Sequence, residues 1–257
     1  MRLIAVVAGM VVSSYLAPAW AAKVTGKVIV SQAFREALAE SDKDDAAGTK
    51  SYYWNQPNGI IGVMPPPVRP ASDLAVVAFK QDAPPKGPDD ISSVDLRTGS
   101  LERNVVVTSP GSTIRFINVS PFNHELYSPQ LSSFKPEVQS TKAFRAIEFK
   151  EEGVYEVRCK LMPHLLAYVV VTGGKAIPLK ADGSFADELE PGKYTLKVFH
   201  GGKWVHQQSI DTESSRSLTV QLKLEPGEET EDDSAKGPKE TEDNKENREP
   251  KEKSNDN

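Results

Sequence analysis

The sequence predicts an all-β fold of the sandwich or barrel type, arranged as two units. Three observations predict it. Apolar residues recur at every second position in short stretches, as with Leu218, Val220, Leu222 and Leu224 against Thr219, Gln221 and Lys223, and a period of two is that of a strand with one buried face. Turn signals stand between these stretches at Pro110-Gly111, Glu152-Gly153, Gly173-Gly174, Asp182-Gly183, Pro191-Gly192 and Gly201-Gly202. The length, 257 residues of which 38% are hydrophobic, allows one large domain or two small ones.

Taken in order, the first 21 residues read as a secretory leader. Arg2 supplies the positive end, Leu3 to Val12 the apolar stretch, and Ala19-Trp20-Ala21 the small-x-small cleavage site. The mature chain is therefore expected to begin at Ala22 and to be exported, to a periplasm or beyond. No apolar run after residue 22 is long enough to span a bilayer. A strand is expected at 24–30. Phe34 to Glu40 then reads as a short helix with Phe34 and Leu38 on one side. It opens an irregular, aromatic and proline-rich insertion over 31–72, which suits a segment packed over the sandwich or a polyproline spacer. Further strands are expected at 74–79, 104–108, 113–118, 144–149, 155–159, 166–171, 194–199 and 218–224. In these, Ile114 and Phe116 share one face, as do Tyr155, Val157 and Cys159. The break at Gly173-Gly174 divides the body into expected units of 22–172 and 173–225. Residues 226–257 contain no aromatic and no branched aliphatic residue. They cannot bury enough apolar area to offset the entropy of ordering, and are expected to be disordered.

Charge and cysteine count narrow the function. The net charge of −5 arises from residues 225–257, whose 13 Asp/Glu and 6 Lys/Arg make −7 and leave the body at +2. A near-neutral body presents no nucleic-acid face. A single cysteine precludes an internal disulfide framework and any multi-cysteine zinc or iron–sulfur site. There is no Gly-x-Ser-x-Gly, no phosphate loop and no His-Glu-x-x-His. The carboxylate pairs Asp44-Asp45, Asp89-Asp90 and Glu151-Glu152 fall in turns or irregular segments and read as solvated charge, so the chain is not read as an enzyme. His200 and His206 read as structural histidines. Asn118-Val119-Ser120 is a glycosylation sequon inside a predicted buried strand and reads as unmodified.

The lone thiol is the informative residue, since an exported chain must account for it. Cys159 closes a strand on its apolar face and is followed at once by Met162, Pro163 and His164, while His124 lies 35 residues upstream. A thiolate, two imidazoles and a weak thioether form the blue-copper ligand set. The alternative is a buried small hydrophobe or an intermolecular bridge.

Two stretches carry a family resemblance. Residues 110–124, PGSTIRFINVSPFNH, resemble the PG-x-T-V-x-F-x-N-x-D-x-x-x-H segment of cupredoxins, and residues 149–159, FKEEGVYEVRC, resemble the F-x-x-x-G-x-Y-x-x-x-C strand that delivers their copper thiolate. Leu166 to Val171 looks like their final strand. Asp182 to Phe185 and Leu189 to Val198 resemble a carboxypeptidase-regulatory-like β module. The resemblance, to the plastocyanin/azurin-like exported blue-copper type, implies a Greek-key cupredoxin β-sandwich plus a small second β-sandwich. It also implies one copper ion on His124, Cys159, His164 and Met162, and a redox protein as partner.

The ligand loop departs from both family patterns. Against Cys-x-x-His-Pro-x-Met-x-Ala-Tyr-Val, Met162 stands at the second histidine and Leu165 at the axial methionine. Against Cys-x4-His-x3-Met, His164 is in place and Tyr168 stands at the axial methionine. Three functions follow from the sequence: one-electron transfer through a mononuclear type 1-like copper, a metal-free binding or structural module of the cell envelope, and a Cu(I) carrier or sequestering protein.

Overall fold

The computed structural model describes residues 21–44, 67–84, 86–97 and 99–227. The expected leader, but for Ala21, lies outside the described residues. So do the aromatic and proline-rich core of the insertion and the tail from residue 228 onward. The described chain is all-β with two helices. In chain order it runs β1 (Ala22–Val30), α1 (Gln32–Asp44), α2 (Pro70–Asp73), β2 (Leu74–Lys80), β3 (Ser92–Arg97), β4 (Ser100–Leu101), β5 (Val105–Thr108) and β6 (Ser112–Asn118). It continues with β7 (His124–Tyr127), β8 (Val138–Gln139), β9 (Phe144–Phe149), β10 (Gly153–Cys159) and β11 (Leu166–Val171). The last strands are β12 (Lys175–Ile177), β13 (Ser184–Leu189), β14 (Lys193–His200), β15 (Lys203–Asp211) and β16 (Ser217–Leu224).

These strands form four sheets, ordered β13-β1-β16, β12-β2-β14-β15, β5-β11-β10-β7-β8 and β4-β3-β6-β9. Three apolar layers stack them. The first joins β13-β1-β16 to β12-β2-β14-β15 through Val24, Val28, Val76, Leu196, Val198 and Leu222. The second joins β4-β3-β6-β9 to β5-β11-β10-β7-β8 through Leu96, Phe116, Phe149, Tyr155, Val157 and Val169. The third lies between these two sandwiches. Ala75, Val77, Phe199 and Trp204 meet Val105, Val154 and Val170 there, with Phe79 and Tyr168 at the margin. β2 and β11, in the two middle sheets, are therefore covered on both sides over most of their length. That explains why 74–79 (LAVVAF) and 166–171 (LAYVVV) are unbroken apolar runs rather than alternations.

The expected strands are present at their positions, but two belong elsewhere than the sequence suggested. β1, expected in the first unit, pairs antiparallel with β13 and parallel with β16, Val24 opposite Leu218 and Leu222 opposite Val28. β2 lies between β12 and β14, with Val76 opposite Ile177 and Val198. The physical reason is burial: β1 and β2 each carry an apolar face that the C-terminal strands cover. Nor is Gly173-Gly174 a loose link. The Gly173 N–H donates to Glu152 Oε1 at 2.9 Å, and a Cβ on Gly174 would overlap Val77 Cγ1, so this turn is pressed against β2.

The helix at Phe34 is α1, longer at its C-terminal end than the apolar pattern indicated. Ser31 starts it: its Oγ accepts the Phe34 N–H at 3.0 Å, an N-cap bond that satisfies one of the donors a helix start leaves over. Phe34 is buried in the first layer, its ring edge-on to His200 at 5.8 Å between centroids.

Candidate metal centre

β7 and β10 are neighbours in one sheet, with Leu126 opposite Cys159. This pairing carries His124, the first residue of β7, to the end of β10. The His124 Nδ1 stands 3.7 Å from Cys159 Sγ, and both residues are buried, at 0% and 2% exposure. The Glu125 N–H, next along β7, points at the same sulfur from 3.4 Å. It offers the sulfur a positive dipole end, as suits a thiolate. Burial pushes the His124 pKa below its ordinary value of 6.5, which keeps the imidazole neutral and able to act as a ligand.

The separation can be tested against a metal. Two donors on one first-row ion, at about 2.0 Å for nitrogen and about 2.3 Å for sulfur and an angle of about 110–120°, stand about 3.5–3.7 Å apart. The observed pair matches that spacing, and both groups are of the type a copper ion takes. The residues present fit the ion at these two positions.

The other two candidate residues sit on the loop after β10. Met162 is half-buried and packs against the same apolar layer that contains Cys159, whereas His164 is exposed. Both approach Gly99, in the turn between β3 and β4. A Cβ there would lie 2.9 Å from His164 Nε2 and 3.6 Å from Met162 Sδ. Gly99 has φ of 78°, in the left-handed region, so this position calls for glycine on two counts. The Leu165 N–H donates to Met162 O at 3.0 Å and closes the loop, and Leu165 itself is buried in that layer. Tyr168 points the other way, into the third layer, its ring 5.9 Å from that of Phe199. Hence Tyr168 is on the far face of β11 from Cys159, and the position facing the thiol's layer is Leu165. Among the described residues, no group of three or more His, Cys, Asp and Glu is close enough to hold one ion. The structure thus unites His124 with Cys159, and Met162 with His164 around Gly99.

The residues that sequence reasoning missed lie behind His124. Asn118 and Ser120, at 0% and 1% exposure, connect to its other ring nitrogen, with Ser120 Oγ 2.8 Å from His124 Nε2. Two signals in the sequence fell on them: the sequon spacing, which pointed to a different chemistry, and the stretch 110–124, where Asn118 matches the N of the F-x-N-x-D pattern and Ser120 stands at its D. His200 and His206 are in β14 and β15, in the other sandwich.

No protein-family model matches the chain, and no curated protein matches it in sequence. Solved structures that it is similar to are cupredoxins. A purple cupredoxin from Nitrosopumilus maritimus is 19% identical over 32% of this chain and 99% of its own, with a TM-score of 0.30. Amicyanin from Paracoccus versutus is 19% identical over 39% of this chain and 98% of its own, at 0.29. A mutant plastocyanin of fern is 14% identical over 31% of this chain and 99% of its own, also at 0.29.

Proposed function

We propose that the protein is an exported, cupredoxin-like carrier of electrons: His124 and Cys159, completed by Met162 and His164, would hold a single copper ion, and a redox protein would be the partner in one-electron transfer. The observation that carries this reading is the buried pair of His124 Nδ1 and the sole thiol at 3.7 Å. Copper would supply the one-electron couple. The chain's part is to hold two ligands on adjacent strands of a packed sheet, so that little rearranges between oxidation states. Among the described residues no helix is long and apolar enough to cross a membrane.

Within this reading Met162 is the inner contributor and His164 the outer, because Met162 packs with the Cys159 layer while His164 is exposed. The test is a Cu(II) titration of the purified protein followed in the visible spectrum. An intense thiolate-to-copper band is expected, absent from Cys159→Ser and weakened more by Met162→Ala than by His164→Ala. Unchanged copper affinity in Cys159→Ser would overturn the copper site altogether.

A second reading, storage or delivery of Cu(I), is favoured by one observation. The donors nearest the thiol layer are one imidazole and one thioether, a soft set of low coordination number. It predicts tight Cu(I) binding in competition with a chelator and no charge-transfer band with Cu(II).

A further inference from the structure

We propose that Asn118 and Ser120 lock His124 in the tautomer that carries its proton on Nε2, so that the bare Nδ1 lone pair faces Cys159. Ser120 is thereby a positioning residue of the site. The inference deepens the copper reading and rests on it only where metal affinity is concerned.

The argument is a count of hydrogens in a closed network. Asn118 Nδ2 lies 2.7 Å from Phe122 O and 2.9 Å from Gln139 O. Both are carbonyls, which only accept, so this end of the amide is the NH2 and its two hydrogens are spent. The other end, Asn118 Oδ1, is then an acceptor without hydrogen. It receives the Ser120 N–H at 3.0 Å and lies 2.8 Å from Ser120 Oγ. At that distance two oxygens without a shared hydrogen would repel. Ser120 therefore donates its one hydroxyl hydrogen to Asn118 Oδ1.

With its hydrogen committed, Ser120 Oγ can only accept. It takes the Phe122 N–H at 3.2 Å, and the other nitrogen in contact with it is His124 Nε2 at 2.8 Å. A nitrogen that close to an oxygen able only to accept must bring the hydrogen. His124 is thus Nε2–H, and a ring at 0% exposure whose contacts are a hydroxyl and a thiol has no counter-charge to support a second proton, so Nδ1 has none. If the Ser120 hydrogen turned instead to Phe122 O, at 3.2 Å, the result for His124 would be the same.

Asn118, Ser120, His124 and Gln139 are buried, while Phe122 stands at the exposed edge of the network, so flipping the His124 ring or its tautomer would leave an unsatisfied polar group away from water. In the metal-free protein the free Nδ1 accepts from the Cys159 thiol. A structural serine that merely fills space would leave the two tautomers in exchange.

The proposal is tested without metal first. Purified protein labelled with nitrogen-15 is examined by long-range proton–nitrogen correlation of the histidine rings. A protonated Nε2 and an unprotonated Nδ1 are expected for His124. A protonated Nδ1, or fast averaging of the two, overturns the lock. Ser120→Ala should populate the second tautomer and weaken copper binding about 10–100-fold, with Ser120→Thr restoring both. Folded Ser120→Ala with unchanged tautomer and affinity also overturns it. If the tautomer is as expected but copper does not bind the unmodified protein, the metal reading fails while the lock stands.

Discussion

Phe199→Ala should expose how the two sandwiches depend on each other. Phe199 is fully buried at the middle of the third layer, edge-on to Trp204 at 5.3 Å and to Tyr168 at 5.9 Å. It is thus the ring that links β14 and β15 of one sandwich to β11 of the other. Removing a buried phenylalanine side chain costs about 3–5 kcal/mol, part of it the two aromatic contacts at about 0.5–1.5 kcal/mol each. For a chain of this size about 1 kcal/mol shifts Tm by roughly 2–4 °C, so Phe199→Ala should lower Tm by roughly 6–20 °C. Urea unfolding followed both by far-UV circular dichroism and by tryptophan fluorescence gives the free energy. The unmodified protein should unfold in one transition by both probes, and Phe199→Ala should separate them, because the layer joining the units is what it weakens. A loss below about 1 kcal/mol, with the probes still coincident, would refute the coupling.

Three other outcomes are expected. A chain ended after Thr172 loses the partners of β1 and β2 on both sides, so amides 22–30 and 74–80 should exchange hydrogen without protection; retained protection would contradict the pairing. Gly99→Ala places a Cβ against His164 in a left-handed backbone and should cost about 1–2 kcal/mol in chemical denaturation, with a shifted copper spectrum. Burial opposes ionisation of Asp89, but the Lys86 ammonium and the Ser109 N–H, 2.8 Å from Oδ2, outweigh it and hold the carboxyl below its ordinary 3.8. The ionised form therefore adds stability above about pH 4 that is lost as pH falls through the lower folded value. Thermal melts at about pH 5 and about pH 3 should show a steeper loss in the unmodified protein than in Asp89→Asn.

How far the sequence could be read is clearest at particular residues. The alternation at 218–224 is the burial pattern of β16, whose Val220, Leu222 and Leu224 are buried and whose Thr219, Gln221 and Lys223 are exposed. The same holds for Ile114 and Phe116 in β6 and for Tyr155, Val157 and Cys159 in β10. Alternation assigns a face because side chains in a strand point to opposite sides in turn. It does not assign a partner: nothing in 22–30 indicates that this strand runs parallel to one almost two hundred residues later. The unbroken apolar run at 74–79 did mark a strand covered on both sides, and it was the available signal for the third layer.

The candidate centre divides along the same line. The sequence by itself determined the all-β class, the faces of the long strands and the nomination of His124 and Cys159, because one thiol and few histidines leave little choice. Only the tertiary structure decided that these two stand 3.7 Å apart, that Leu165 rather than Tyr168 faces the thiol's layer, and that Met162 is inside while His164 is out. The same is true of the hydrogens of Asn118 and Ser120, which set the direction of the His124 lone pair. The physical reason is range. Period and residue type act over a few neighbouring positions, whereas strand pairing and hydrogen-bond closure join residues that only the folded chain brings within reach.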